Sequence, residues 1–534
     1  MKKRAIIYTE NMEQLPQLAE FLICDDWELV SAGETLAYLN SKHIPVTEEK
    51  ALLSNTPADD SFFRLLQQVT QNESDFYHDS FNTKGAIRLV CVNIKPRYHP
   101  LADFLEESSS DNCINFKHET LIRCAAKNYR SVLILTNPED YSEAIIQLKT
   151  DSVTKNFRLE LAGKALNLCA AYDAASSLSI AMQKKRIEFP EYFVVPYHKQ
   201  KKLVHGTNPH QYACLYTHNH DTSALSGMKK IQGKELDYII VKNCFIAWNI
   251  VSLYFKIIKN PFEVPSSDSQ GYPYTTQFTP AAGSVFTIAI KNENPVGAAL
   301  GSNVCESFSK TLNCSPDTFD GATLACSAVI DRDAAISLSQ SNLLSIVAPD
   351  FTKEAKEIFS QNQNLHLIVA SKMFSGFHET SSIDGGLLVQ TPDNTLFQKW
   401  KVVTNRRPTQ AQCDAMAFGT MVILAAKSDS ALIVNNLATI GISTGQTSRK
   451  RSIRFALEDA EDCIKNGLTS GDTNAEVLVS DTSIPFDERI SKAAELGIKA
   501  IIQTGGSSSD QELIDFCNNN DIAMVFTGMR HLAF

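Results

Sequence analysis

Short apolar runs rich in β-branched residues alternate with segments of helical spacing, and this alternation most constrains the fold. Helical spacing follows the runs, for example in QLPQLAEFL (14–22) and PEDYSEAIIQL (138–148). Strands alternating with helices are typical of an α/β sheet. The sequence therefore predicts the α/β class. The first four predicted strands are AIIY (5–8), WELVS (27–31), AIRLVCVNI (86–94) and SVLILT (131–136).

A long helical segment at 156–183 ends in FPEYFVVPYHKQKKLVHG (189–206), where proline, aromatic residues and lysines interrupt the periodicity. We therefore predict two domains, 1–195 and 196–534. The polar segment VPSSDSQGYPYTTQFTP (264–280) is predicted to be a loop. No fixed-period repeat of the solenoid kind is visible. Further strands are predicted at FTIAI (286–290), LHLIV (365–369), ALIV (431–434), EVLVS (476–480), KAIIQ (499–503) and IAMVF (522–526).

Charge and cysteine content narrow the class of protein. The formal net charge is -10, which argues against a nucleic-acid partner or an acidic membrane. No run approaches 18 apolar residues, and the N-terminus is too short in apolar residues for a signal peptide. The 13 cysteines are scattered without a CxxC pair, so reduced thiols are expected. We expect a soluble cytoplasmic protein.

The stretch FTIAIKNENPVGAALG (286–301) places a lysine at the end of a buried strand. Its pattern predicts a strand, a tight loop and the start of a helix near Gly297. Lys291 is then either a solvated loop residue or a charge that points into a cleft.

Several Gly/Ser turns between a strand and a helix are candidate anion sites, because amide groups at a helix N-terminus favour phosphate or carboxylate. Each turn could equally be only a helix cap. The motifs GxxxxGK[ST] and GxGxxG are absent, which argues against ordinary P-loop or dinucleotide binding. The turns contain Ser31, Gly33 and Thr35; Ser443, Gly445, Gln446, Ser448 and Arg449; and Gly505, Gly506 and Ser507.

Three histidines lie in polar segments where a site residue could stand. His210 lies in the rigid polar turn NPHQ (208–211) and is either a site residue or an ordinary loop residue. His218 and His220 have no carboxylate or cysteine at metal-like spacing, so they are predicted to lie in a polar loop. No metal is predicted. Zinc deaminase and serine hydrolase motifs are also absent.

A series of motifs in one order carries a family resemblance. It includes TNPHQ, IKNENPVGAA, DGGLLVQ, IGISTGQTSR, SDTSIPF and AIIQTGGSSSDQELID. The chain resembles the bifunctional AICAR transformylase/IMP cyclohydrolase family of purine biosynthesis. The resemblance is strong in the C-terminal part and weaker in the N-terminal part, where WELVSAGETLAYL and KALNLCAAYDAA carry it.

The resemblance implies a methylglyoxal-synthase-like N-terminal domain and a transformylase domain of cytidine-deaminase-like units. It also implies a homodimer with transformylase sites between subunits. The implied reaction transfers a formyl group from 10-formyltetrahydrofolate to the amine of AICAR, or a related purine ribotide, and then closes the ring to IMP. Neither nucleic acid nor a membrane is an expected partner.

The family motif K-H-x-N-P-x-G implies the reaction centre. Lys291 matches its lysine, and Asn294 and Gly297 match its turn, but Asn292 stands at the histidine position. Asparagine can orient or donate but cannot take a proton at neutral pH. His210 or a water molecule is then the expected proton acceptor.

Other motifs imply substrate-binding residues. Asn208 and Gln211 lie in the NPHQ turn, and Gln446 and Arg449 lie in GQ-x-SR. The family's K-S-N reads Lys427, Ser428, Asp429 here. A carboxylate therefore replaces a neutral donor at 429.

The N-terminal part departs further from the family. Its S-T-G-G-T loop reads Ser31, Ala32, Gly33, Glu34, Thr35, which places a carboxylate where phosphate would be repelled. Lys127 is the main retained candidate for the cyclohydrolase site, and Asn115 stands at an aspartate position. Ring closure is therefore predicted to be absent or very slow.

Three interpretations follow. The chain is a divergent working enzyme, in which Lys291 stabilises charge and Asn292 orients AICAR; or a paralogue that binds a purine ribotide or another ligand without turnover; or a transformylase whose N-terminal domain is structural.

Overall fold

The computed structural model describes the greater part of the chain: residues 3–52, 65, 66, 69, 87–96, 116–181, 189–217, 224–259, 262–271, 273–278, 283–371, 378–393, 395–469 and 475–534. The chain divides into two compact units. Unit 1 is Met1–His198 with Tyr216–His220, and unit 2 is Lys199–Leu215 with Asp221–Phe534.

Unit 1 contains a five-stranded sheet in the order β3-β2-β1-β4-β5. All four neighbouring pairs are parallel. Ala5, Ile6, Ile7 and Tyr8 are all buried, as expected for a parallel strand covered on both faces. The strands are β1 (Arg4–Thr9), β2 (Glu28–Ser31), β3 (Thr47–Glu48), β4 (Ile87–Asn93) and β5 (Leu133–Leu135).

Six helices of unit 1 lie in the described residues. They confirm the predicted alternation of strands and helices, including the long helical segment near 156–183. They are α1 (Leu15–Cys24), α2 (Gly33–Ser41), α3 (Glu49–Leu52), α4 (Phe116–Lys127), α5 (Tyr141–Lys149) and α6 (Lys155–Ala181).

Unit 2 contains one 14-stranded sheet, whose order is β10-β9-β18-β23-β22-β21-β19-β20-β12-β11-β13-β14-β15-β8. The pair β16 with β17 forms a separate two-stranded sheet, as does the pair β6 with β7, whose residues are divided between the two units. The strands outside the two halves described next are β6 (His198–Lys202), β7 (Cys214–Thr217), β8 (Met228–Gln232), β9 (Phe262–Ser267), β10 (Pro273–Phe278), β16 (Glu379–Ile383), β17 (Gly386–Gln390) and β18 (Trp400–Val402).

The first half of unit 2 is a helix, an antiparallel hairpin and then three helix–strand steps. The three strands after the hairpin are parallel to one another. The elements are α7 (Tyr238–Lys259), β11 (Val285–Lys291), β12 (Asn294–Gly301), α8 (Val304–Asn313), β13 (Thr323–Cys326), α9 (Arg332–Ser339), β14 (Ser345–Ala348), α10 (Lys353–Phe359) and β15 (His366–Ala370).

The second half repeats that order of elements. It again has a helix, a hairpin and three parallel strands separated by helices. The elements are α11 (Gln410–Ile423), β19 (Ala431–Asn435), β20 (Ala438–Ser443), α12 (Arg449–Lys465), β21 (Val477–Ser480), α13 (Glu488–Glu495), β22 (Ala500–Gln503), α14 (Asp510–Asn519) and β23 (Ala523–Phe526).

The two halves join where β12 pairs with β20 at Ala299 and Ala438. One face of the joined sheet carries α7 and α11 in a single core that draws on strands of both halves. The other face has separate cores, one around α8 to α10 and one around α12 to α14. The sheet is therefore covered on both faces.

Two predictions are wrong. The residues after Asn294 were expected to begin a helix, but they form β12, in which Pro295 and Ala298 to Leu300 are buried. The segment 264–280 was expected to be a loop, but β9 and β10 pair antiparallel within it. In both places, cross-strand pairing overrode the local turn signals. The predicted strands between 286 and 526 are confirmed as β11, β15, β19 and β21 to β23.

Helix α7 is long and apolar enough to cross a membrane, by length and composition alone, and half of its most apolar window is buried inside the protein. A core helix has the same composition, and α7 packs against β11 and β13. It is the one such helix in the described part of the chain.

Candidate functional site

The hairpin between β11 and β12 turns through Asn292 and Glu293. Both residues have positive φ, 50° and 65°, which is the conformation of a two-residue type I′ turn. Asparagine tolerates this region better than most residues. The sequence N-E thus places Lys291 and Asn294 opposite each other at the base of the turn.

Lys291 donates from Nζ to two backbone carbonyls, 3.1 Å to Thr318 O and 2.6 Å to Asp320 O. Both acceptors are neutral, so these contacts fix the ammonium without neutralising its charge. Lys291 is half-buried at the end of β11. The geometry therefore gives a held cation at the hairpin rather than a freely solvated one.

Asn294 connects the hairpin to a second segment. Its Nδ2 donates to Asn292 O at 3.0 Å, and its Oδ1 accepts the backbone N–H of Lys427 at 3.1 Å. Both ends of the amide are thereby used. Asn292 itself has an exposed side chain at the tip of the turn.

The segment Lys427–Asp429 is clamped in turn to the loop after β20. Asp429 and Gln446 exchange backbone hydrogen bonds of 2.9 and 3.1 Å, and the Gly445 N–H donates to Lys427 O. Gly445 has φ of 63°, a conformation that glycine adopts without strain. Three predicted site residues, Asn294, Asp429 and Gln446, are thus brought together through one short segment.

Arg449 is the first residue of α12 and donates from Nη1 to Ser483 Oγ at 2.8 Å. The N-cap Ser448 makes no side-chain cap bond. Amide groups at a helix start and a guanidinium together favour an anion such as phosphate. The turn at 443–449, called the anion turn, is therefore a candidate anion site.

The carboxyl ends of β20 to β23 share one edge of the sheet, which is where open α/β sheets place ligands. Asp481 is fully buried there, and its Oδ2 accepts the Ser430 N–H at 3.1 Å. Burial raises the pKa of the Asp481 carboxyl. Ser443 Oγ and Thr482 Oγ1 are buried without a partner among the described residues. Such groups ordinarily have a partner, so the edge is suited to a polar ligand.

The C-terminal residues lie against this edge. Ser428 donates from its N–H to Ala533 O at 2.8 Å, and Ala533 donates back to Ser428 Oγ at 3.1 Å. His531 is buried, with Nδ1 2.7 Å from Asp393 Oδ2. Ala533 therefore holds Ser428 within the segment 427–429, while His531 anchors the C-terminal residues to Asp393.

The NPHQ turn closes on itself. Gln211 Oε1 accepts the N–H of Asn208 at 2.8 Å and its Nδ2–H at 3.2 Å. Asn208 and Gln211 therefore brace the turn, while His210 is exposed. His218 and His220 lie outside the described residues.

Helix α7 relates the NPHQ turn to the hairpin. The Tyr238 N–H, at the first residue of the helix, donates to His205 O at 3.2 Å. One turn later, Asn243 Oδ1 accepts the Glu293 N–H at 2.9 Å, and Lys242 Nζ lies 3.0 Å from Glu293 Oε2. The hairpin and His205, three residues before the NPHQ turn, thus attach to the first two turns of one helix.

Gly297 lies inside β12 rather than at a site surface. A Cβ atom there would be 2.2 Å from Thr311 O of α8. The close approach of strand and helix is a sufficient reason for this glycine. It is not brought to the edge at which Asn294 and Gln446 meet.

In unit 1, two of the cyclohydrolase-like residues bond to the backbone of β1. Ser31 Oγ donates to Ile7 O at 2.7 Å, and Thr35 Oγ1 contacts both Thr9 N and Thr9 O. Both hydroxyls are buried. Gly33 begins α2 with φ of 59° and open space beside it, and Lys127 is exposed in the last turn of α4.

A cluster of titratable side chains lies beside β1. The Tyr8 hydroxyl donates to Glu49 Oε2 at 2.6 Å, and Lys117 Nζ lies 2.9 and 2.8 Å from the two Glu49 oxygens. The His118 ring stacks on Tyr8 at 5.0 Å. Burial, followed by the charge of Lys117, lowers the pKa of His118 to about 4.

Sequence reasoning missed Glu293, Lys242 and Ser483. Glu293 lies inside the quoted motif, but no local signal shows that its carboxylate meets a helix about 50 residues upstream. In the described ranges, no group of three or more His, Cys, Asp or Glu side chains could hold a metal ion.

Comparisons with known proteins agree with the motif series. The model of the "AICARFT/IMPCHase bienzyme" family matches residues 125–459, more than half of the chain. The chain is 33% identical to the "Bifunctional purine biosynthesis protein PurH" of Clostridium acetobutylicum over 540 residues, which is 99% of each chain. It is 32% identical to the protein of the same name from Clostridium kluyveri, again over 99% of each chain.

The solved structure of ForH is 22% identical, covers 34% of this chain and has a TM-score of 0.31. A score at that level supports no conclusion about a shared fold.

Proposed function

Because the chain belongs to the AICARFT/IMPCHase bienzyme family, we propose that it is an enzyme of purine biosynthesis that transfers a formyl group from 10-formyltetrahydrofolate to AICAR. The observation that carries this proposal is the chain of contacts through Lys427–Asp429. It links Asn294 of the hairpin to Gln446 of the anion turn. Two separate family motifs therefore meet at one sheet edge.

The proposed reaction forms a bond between the AICAR amine nitrogen and the formyl carbon, and it breaks the bond from that carbon to the folate N10. One proton leaves the amine and one is taken up by N10, so tetrahydrofolate and formyl-AICAR are the products. The amine is a poor nucleophile, and an oxyanion develops on the formyl oxygen. The site must supply a proton acceptor and a fixed positive charge or donor.

The residues divide these tasks. Arg449 and the start of α12 bind the ribotide phosphate, and Lys291 stabilises the oxyanion as a cation held by neutral acceptors. Asn292 orients the carboxamide of AICAR from the exposed tip of the turn. His210, or a water molecule, accepts the proton; His205, three residues before the NPHQ turn, bonds to the start of α7.

The test is a direct assay of purified protein with AICAR and 10-formyltetrahydrofolate, with formyl-AICAR and IMP followed separately. Lys291→Met should lower kcat by roughly 10²–10³-fold if it stabilises the oxyanion, and Asn292→His should raise kcat by restoring a base. Lys353→Met is the matched control, since Lys353 is an exposed lysine on α10, and it should leave the rate unchanged.

Absence of turnover together with tight AICAR binding would overturn formyl transfer. It would favour a ribotide-binding paralogue instead.

We also propose that unit 1 does not close the ring at an enzymatic rate. The hydroxyls of Ser31 and Thr35 donate hydrogen bonds to backbone carbonyls of β1. Glu34 lies in the first turn of α2, where a phosphate would have to bind. Formyl-AICAR supplied alone should therefore give no IMP above the uncatalysed rate. Brisk IMP formation would contradict this part of the proposal.

The family resemblance further supports a cytoplasmic homodimer that needs 10-formyltetrahydrofolate as cosubstrate. Light scattering behind size-exclusion chromatography measures the oligomeric state directly. A monomer that still transfers the formyl group would exclude a site shared between subunits.

A further inference from the structure

Glu293 occupies the second central position of the hairpin turn, between two lysines from different segments. Its Oε2 lies 3.0 Å from Lys242 Nζ of α7 and 3.6 Å from Lys427 Nζ. The Glu293 side chain is 18% exposed, whereas each lysine side chain is 43% exposed. The carboxylate is therefore the less exposed centre of a three-charge bridge.

The backbone fixes the same residue. The Glu293 N–H donates to Asn243 Oδ1 at 2.9 Å, and Asn243 is 2% exposed. With φ of 65°, Glu293 also has little freedom to move without opening the turn. The carboxylate is thus held from its own backbone as well as by its charge partners.

Lys427 is the partner that concerns the site. Its backbone N–H binds Asn294 and its carbonyl receives the Gly445 N–H, so its main chain lies between hairpin and anion turn. Among the described residues, its side chain forms an ion pair with Glu293 alone. A lysine side chain has several rotatable bonds, and the carboxylate restricts where its ammonium can lie.

We propose that Glu293 is a positioning residue, which holds the Lys427 ammonium at the sheet edge and ties α7, the hairpin and the segment 427–429 into one assembly. This inference rests on the proposed formyl transfer. It gives the Lys427 ammonium a fixed position near the ribotide. It also explains why a carboxylate is tolerated beside an anion site. Lys242 pairs with the same carboxylate oxygen, Oε2, from α7.

The first test is Glu293→Gln, which keeps the side-chain shape and removes the charge. We expect kcat for formyl transfer to fall roughly 10- to 100-fold, because a misplaced group loses rate steeply with displacement. AICAR affinity should stay equal or become tighter, because two lysines lose their compensating carboxylate. A role in folding alone would lower the unfolding midpoint without this split between kcat and affinity.

The matched control is Glu461→Gln. Glu461 also bridges two lysines, at 2.8 Å to Lys465 and 2.8 Å to Lys492, but on the surface between α12 and α13. Loss of that bridge should leave kcat unchanged. An equal fall of kcat in both variants would overturn the inference.

A charge swap separates the two partners of Glu293. The double variant Lys242→Glu with Glu293→Lys rebuilds the ion pair between α7 and the hairpin but leaves Lys427 facing a cation. We expect the unfolding midpoint to recover from its value in Glu293→Gln toward that of the native protein, and kcat to stay below that of the native protein. Recovery of both would show that only the tie to α7 matters, and it would overturn the positioning of Lys427.

Hydrogen exchange distinguishes this inference from the proposed function. Amide exchange at 427–430 in the ligand-free protein should quicken in Glu293→Gln and not in Glu461→Gln, whether or not the enzyme turns over AICAR. Lack of formyl transfer by the unchanged protein would refute the function alone. Unchanged exchange at 427–430 would refute the bridge.

Discussion

Replacing Gly297 with alanine tests the packing that carries the hairpin. The added Cβ would lie 2.2 Å from Thr311 O, roughly 1 Å closer than non-bonded atoms tolerate. The obstacle is backbone of α8, so no side-chain rotation relieves it. The second half has the same arrangement at Gly441, where a Cβ would lie 2.1 Å from Ala456 O of α12.

Overpacking of this kind lowers the free energy of unfolding by about 1–3 kcal/mol. The smaller conformational entropy of the unfolded alanine variant offsets about 0.4–1 kcal/mol of that loss. We therefore expect Gly297→Ala and Gly441→Ala each to destabilise unit 2 by a net of about 1.3 kcal/mol, the midpoint of a range of roughly 0–2.6 kcal/mol. Urea unfolding measures this as a lower midpoint at unchanged slope. Gly297→Ala should also slow formyl transfer, since Asn294 begins the same strand.

Gly386→Ala is the control in the same unit. It lies in β17, and its Cβ would meet Ile383 Cγ1 at 3.4 Å, an ordinary contact. It should leave the midpoint nearly unchanged. A midpoint for Gly297→Ala equal to or above that of Gly386→Ala would refute the argument from close strand–helix contact.

Three further predictions concern charge. Burial raises the pKa of Asp481, so its ionisation costs stability as pH rises above about 4. Asp481→Asn should therefore gain stability relative to the native protein as pH rises from about 4, as measured by urea unfolding, and a pH-independent difference would contradict this. The pKa of His118 is lowered to about 4, so its protonation costs stability as pH falls from about 6.5. The variant His118→Phe can still stack on Tyr8, and it should lose less stability at pH 4.5 than the native protein. Equal acid sensitivity of the two proteins would contradict this prediction. Arg449→Met should weaken AICAR binding by about tenfold or more in calorimetry, whereas the exposed Arg454→Met should not, and equal affinities would exclude Arg449 as the phosphate ligand.

Periodicity predicted the elements whose apolar runs are long or regular. The strands β1, β4 and β11 are buried over almost their whole length, so their runs of apolar residues were enough to predict them. The strand β12 was missed because NPVGAALG combines proline and glycine, which favour turns, with alanine, which favours helices. Its place in the sheet is set by pairing with Phe286 and its neighbours in β11, which no local window contains.

The repeat of the two halves was also missed, for a related reason. The turns Asn292–Glu293 and Asn436–Leu437 both have positive φ at two residues, and Gly297 and Gly441 follow them at the same spacing. Asn and Gly recur at these positions, but the four residues between them, 293–296 and 437–440, differ throughout. A search for sequence periodicity therefore finds nothing, whereas the order of elements shows the duplication at once.

For the site, motifs identified the segments but not the contacts between them. Asn294, Asp429 and Gln446 were named from sequence, and the structure joins them through Lys427. The motif gave no role to Glu293, because its charge partners lie about 50 residues upstream and more than 130 residues downstream in the sequence. Long-range charge pairing of this kind leaves no periodic signal.

Helix α7 has a consequence for synthesis on the ribosome. Its apolar face packs against β11 and β13 and also contacts α11, all of which are made later than the helix itself. Cys326, the last residue of β13, follows Lys259 by more than sixty residues, and translation proceeds at roughly 5–20 residues per second. For several seconds the nascent chain therefore carries a helix of membrane-like composition with no sheet to cover it. Slower decoding between residues 260 and 326 should increase aggregation of the newly made protein or its capture by chaperones, without any change in the finished fold.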